Sequence, residues 1–153
     1  MMRVRVLCNP DGTVSIVHPA PNSRKPEESQ TEWLNRVFEK ATPEGITYND
    51  MDISSIPADR TFREAWEVNE DLVTVNMPKA RSIHMDRIRA LRNQKLSTLD
   101  FDYMLAFENN DETKMQDIAG LKKILRDIPQ NFDLTVASTP EELKGMMPDI
   151  LRT

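Results

Sequence analysis

MPKARSIHMDRIRALRNQKLSTLDFDYMLAF, residues 77–107, decides the fold. Pro78 suits the first turn of a helix, where its missing N–H would have no partner anyway, and Asn76 is a candidate N-cap. No Pro or Gly follows before Phe107, so a continuous helix of roughly 30 residues, about 45 Å long, is expected. Ala80, Ile83, Ile88 and Leu91 share one side, whereas Leu96 and Leu99 drift from it. Such drift predicts a bend near Lys95–Ser97 or packing on different neighbours along the helix. Asn109-Asn110-Asp111 marks a turn. KMQDIAGLKKILRDIP, residues 114–129, then places Ile118, Leu121, Leu125 and Ile128 at spacings of three, four and three. That narrow seam suits packing against another helix, and it should stop at Ile128-Pro129. The short connection implies an antiparallel helical hairpin.

Upstream of the helices the signals are those of strands. Arg3-Val4-Arg5-Val6 and Thr13-Val14-Ser15-Ile16 alternate around Asn9-Pro10-Asp11-Gly12, the pattern of a β-hairpin over residues 1–18. A two-stranded ribbon is marginal alone and needs something to pack on. Residues 19–30 hold three prolines and no apolar period, and read as an exposed loop or linker. Trp33, Leu34, Val37, Phe38 and Ala41 then repeat at helical spacing, with Ser29 and Glu32 as a capping box, predicting a helix over 30–41. Residues 46–60 are irregular, with extended pieces expected at Ile46–Tyr48 and Met51–Ile53. Phe62–Val68 and Leu72–Asn76 read as a second hairpin, although the imperfect alternation of Phe62, Ala65 and Trp66 also fits a helical turn. Thr139-Pro140-Glu141-Glu142 opens a last helix to about Met147, and Pro148 leaves room for only a turn at 149–151.

The fold class is therefore α+β: an N-terminal β-hairpin and small antiparallel sheet, with a long antiparallel helical hairpin in the C-terminal half. Residues 1–50 (hairpin, proline-rich loop, short helix) and 51–153 (strand pair, helical hairpin, last helix) are the expected parts, in one domain or two.

Composition narrows the chemistry. A chain of 153 residues suits a single modest core. A net charge of −5 argues against general nucleic-acid binding. The nine methionines either replace Leu in the core or make an adaptable contact surface. The single cysteine, Cys8, has no intramolecular partner, which points to a cytosolic origin and to a small buried hydrophobe in the first hairpin. MMRVRVLCNP has no long apolar run, so no signal peptide is expected, and no window is apolar enough for a membrane span.

No catalytic constellation emerges. His18 and His84 lie in different elements without metal-ligand partners at helical spacing, so no metal is expected. A Cys8–His18 pair lacks an orienting group and an oxyanion site. Four glycines leave no phosphate-cradling loop, and Asp100 and Asp102 point to different helix faces. An enzyme is not expected, nor any cofactor. Lys79, Arg81, Arg87, Arg89, Arg92 and Lys95 face only Asp86. A nucleic-acid binder would gather such cations into one stripe. Here they spread around the helix without aromatic neighbours to stack bases, which favours a solvated helix and leaves a small nucleic-acid-binding regulator as a minor alternative.

Four segments carry a resemblance: ADRTFREAWEV, MPKARSIHMDRIRALRN, STLDFDYMLAFE and KKILRDIP. The shared features are the strand motif from Arg60 to Trp66, Arg89 and Arg92 leading to Leu99-Asp100, and Leu125-Arg126-Asp127 before proline. In these it resembles small tailed-bacteriophage proteins of the tail assembly chaperone-like group, over roughly half the chain, with residues 1–50 unmatched. The resemblance implies a virion structural or assembly role in the tail or neck region, made in the host cytoplasm and localised to the virion. It brings no catalytic residues. Implied partners are other phage tail, neck or fibre proteins, without membrane, and a homo-oligomer is compatible. A transient tail or tail-fibre chaperone that is not retained in the virion fits the same resemblance. Aromatic and arginine anchors commonly dominate docking, which singles out Phe62, Arg63, Trp66, Arg89 and Arg126. Each has an alternative role, the rings in the core and the arginines in internal pairs.

Overall fold

The computed structural model describes residues 2–152. The chain forms two compact units, Met1–Asn76 and Met77–Thr153. It is α+β, as expected, with small antiparallel sheets in the first unit and a helical hairpin in the second.

The first unit is built on β1 (Arg3–Cys8), β2 (Val14–Val17) and β3 (Thr47–Asp52), in the order β2-β1-β3, all antiparallel. Gly12, at φ +83°, closes the first hairpin where a positive φ is needed, and Cys8 pairs with Val14. The two extended pieces expected around residue 50 are one strand, β3, whose Asp50 lies opposite Arg5. A second ribbon, β4 (Trp66–Asn69) and β5 (Leu72–Val75), turns through Glu70 at φ +56°. A single 3₁₀ turn at Arg63–Ala65 precedes it, which accounts for the broken alternation there.

That ribbon answers what the first hairpin packs on. Trp66 and Val73 join Val4, Val6, Val14 and Met51 in one buried cluster. The boundary between the units therefore falls after Asn76, and not near residue 50: β3 and the second ribbon complete the N-terminal core. On the other face of β1, the helix α1 (Gln30–Ala41) brings Phe38 and Thr42 to the Arg5 guanidinium. Ser29 and Glu32 form the reciprocal capping box at its start. The proline-rich segment is not a loose linker. Trp33 Nε1 donates to Ser23 Oγ at 2.9 Å, and Arg36 reaches both the Ser23 carbonyl and the Glu28 carboxylate.

In the second unit α2 runs from Met77 to Glu108, 32 residues and about 48 Å long. Its end is a Schellman motif. Asn110 adopts φ +56°, Asp111 N–H bonds the Ala106 carbonyl and Asn110 N–H that of Phe107. Asp111 then caps α3 (Glu112–Asn131) by accepting from Lys114 N–H. The helix α3 does not stop at Pro129 but continues two residues beyond it. Proline removes one hydrogen bond in the last turn, and Phe132 N–H still closes onto the Ile128 carbonyl at 2.9 Å. A final short helix, α4 (Pro140–Gly145), capped by Thr139, ends before the expected Met147.

Candidate docking surface on the helical hairpin

The hairpin is held along one seam. Ile118 and Leu125 of α3 and Ile88 and Ala106 of α2 are buried, and Lys122 pairs with Asp100 between the helices. The Lys122 ammonium also lies 5.4 Å from the Tyr103 ring. One side of α2 has a different occupation. Arg81 donates to the Ala137 carbonyl at 2.8 Å, His84 Nε2 to that of Met146 at 2.6 Å, and Lys95 to that of Ile150. A carbonyl only accepts, so the Nε2 of His84 carries a proton. Three polar side chains of one helix thus strap down the segment 134–151, whose Leu134, Ala137 and Leu143 are buried.

The strap dissects the basic run. Arg81 and Lys95 are engaged with main-chain carbonyls, Arg89 pairs with Asp86 at 2.8 Å, and Arg92 bonds its neighbour Asn93. The cations do not merge into one phosphate-facing stripe. Among the described residues, no group of three or more His, Cys, Asp or Glu side chains could hold a metal ion, and no helix is long and apolar enough to cross a membrane.

The five residues singled out from the sequence separate clearly. Phe62 and Trp66 are 2% and 1% exposed, and Trp66 belongs to the core cluster of the first unit. Both occupy core positions, so neither ring is presented to a partner. Arg63 is exposed and borders a shallow depression with Thr13 and Ser15. Arg89 is exposed but paired, and Arg126 is exposed on α3. Phe62, Arg63 and Trp66 belong to the first unit, and Arg89 and Arg126 to the second.

The apolar surface lies elsewhere, on the distal part of the hairpin. Phe101, Met104, Leu105 and Phe107 of α2 are between 40% and 65% exposed, and Leu121 and Ile124 of α3 are 41% and 56% exposed. The drift read from the sequence lay at Leu96 and Leu99, which are half-buried, and did not single out Phe101, Met104, Leu105 or Phe107. An all-round apolar distribution on a helix covered over only part of its circumference must leave some of it in water.

Arg5 was also missed. It is 9% exposed, bidentate to Asp50 at 2.7 and 2.8 Å, and 3.8 Å from the Tyr48 ring centre. The bond to Asp50 raises its pKa above the ordinary arginine value, against the lowering effect of burial. This is a structural cation with its partners already satisfied. Cys8 is half-buried in β1.

Compared with known proteins, the chain matches no family model, no curated protein and no solved structure.

Proposed function

We propose that this chain is a non-enzymatic structural or assembly protein of the bacteriophage virion, in the tail or neck region, that acts by docking onto other virion proteins. One observation carries the docking part: large apolar side chains from both helices of the hairpin stand in water. Exposed apolar surface, where it is contiguous, marks protein contact sites. The engagement of the α2 cations within the chain favours a protein partner over nucleic acid. The phage setting rests on the resemblance of the Arg60–Trp66, Arg89–Asp100 and Leu125–Asp127 motifs to tail assembly chaperone-like proteins. Quantitative mass spectrometry of purified particles tests it, with the chain expected at a fixed ratio to the major tail proteins. Absence from particles, with presence in infected-cell lysates, would replace the virion component by a transient chaperone.

A further inference from the structure

We propose that the pocket at the C-terminal end of α3 receives an arginine side chain presented by a partner protein. The inference does not rest on the virion assignment.

Ile124, Asp127, Ile128 and Asn131 lie on one face of α3, within an arc of about 100°, and line a pocket of about 350 Å³. Phe132, just past the helix, and Pro148 and Ile150 of the strapped segment complete its apolar lining. The Lys95 bond to the Ile150 carbonyl and the Leu151 N–H bond to the Pro148 carbonyl, 2.9 Å, hold that segment in place. The volume is at the small end for ligand sites and suits one long side chain.

Charge selects the occupant. The pocket lies at the end of α3, where the last helical carbonyls favour a cation. Yet the last turn of α3 holds no basic residue, and the carboxylate present is Asp127. Among the described residues no donor bonds that carboxylate, and no lysine or arginine lines the pocket. Asp149 adds a second carboxylate to the lining. Its pair with Arg152, at 3.2 Å, is exposed on both sides, and such pairs hold little.

An anionic ligand would be repelled here, and a wholly apolar one would strip water from Asp127 without replacing it. An alkyl stem carrying a cation meets both demands, with the stem on Ile128, Phe132 and Pro148 and the charge at Asp127. A guanidinium is favoured over an ammonium, because its fork pairs with both carboxylate oxygens and it is the more weakly hydrated cation.

Methyl NMR of the full chain, with Nα-acetyl-arginine amide as the probe, tests the proposal. The δ1 methyls of Ile124, Ile128 and Ile150 should shift with a Kd of about 1 mM, the range open to so small a ligand. The citrulline amide, a neutral isostere, should bind about tenfold more weakly, and the lysine and norleucine amides should also bind more weakly. Asp127→Asn has no internal bond to lose, so its circular dichroism spectrum should be unchanged while arginine and citrulline become equal. Asp117→Asn, on the same helix, should keep the preference. Methyls that stay still at about 20 mM probe, citrulline, lysine or norleucine binding as well as arginine, or loss of the preference in Asp117→Asn would each overturn the proposal. Absence of the chain from virions would leave this result standing and refute the virion role alone.

Discussion

Arg5 stands opposite Asp50 across the β1–β3 ladder and donates to both carboxylate oxygens, Nε at 2.7 Å and a terminal nitrogen at 2.8 Å. The guanidinium also lies between Tyr48 and Phe38, 3.8 and 4.8 Å from their ring centres, and bonds Thr42 Oγ1. One side chain thereby ties β1, β3 and α1 together. A planar fork does this; an ammonium group offers neither the paired bonds nor the stacking.

Replacing Arg5 by alanine should destabilise the first unit by about 1–3 kcal/mol, because Asp50 loses its partner and the two rings lose their filling. Arg5→Lys should recover only part of that. Both tryptophans, Trp33 and Trp66, lie in this unit, so urea unfolding followed by their fluorescence reads the effect directly. A midpoint unchanged in Arg5→Ala would mean the pair is ornamental.

Glu28 holds the proline-rich segment to α1, and its carboxyl is lowered to about 2. The Arg36 guanidinium is the main cause, followed by the Lys25 backbone N–H. A depressed folded pKa stabilises above the unfolded value, about 4.3 for glutamate, and the contribution disappears as pH falls toward about 2. Acid should therefore loosen residues 21–28 across that window. The carboxyl carbon shift of Glu28, followed by NMR, should titrate near 2; a midpoint above 4 would contradict the clamp.

Much of this architecture could be read in advance, and the failures have physical causes. The capping box at Ser29, the turn at Asn109–Asp111 and the cap at Thr139 are local hydrogen-bond patterns, so a few consecutive residues specify them. Arg5 and Asp50 are 45 positions apart, and neither implies the other until β3 finds its register. Burial of Phe62 and Trp66 followed similarly from which strands cover which sheet. Pro129 misled because proline forbids a donor and not a helix: near a C-terminus few bonds remain to be lost. The drift noted on α2 lay at Leu96 and Leu99, which are half-buried; which apolar residues stay in water depended on where α3 would lie.

The strap over α2 should open when its anchors are removed. Arg81→Ala and Lys95→Ala together free the Ala137 and Ile150 carbonyls, at a cost of about 1–3 kcal/mol. Amide exchange should accelerate in residues 134–151 while β1 and β2 keep their protection. Equal acceleration everywhere would show a global effect in place of local release.

Leu121 and Leu125 give a controlled comparison on one helix. They are the same residue one turn apart on α3, yet Leu125 is fully buried and Leu121 is 41% exposed. Leu125→Ala removes side-chain atoms from a closed interior and leaves a cavity, which should cost about 2–4 kcal/mol. Leu121→Ala removes atoms already partly in water and should cost below about 1 kcal/mol. If Leu121 instead serves a partner, its truncation should weaken that association while leaving the isolated chain's thermal unfolding almost unchanged. The decisive result is the ratio of the two stability losses, measured by chemical denaturation of the second unit's helical signal. Comparable losses would place Leu121 in the core and remove it from the docking surface.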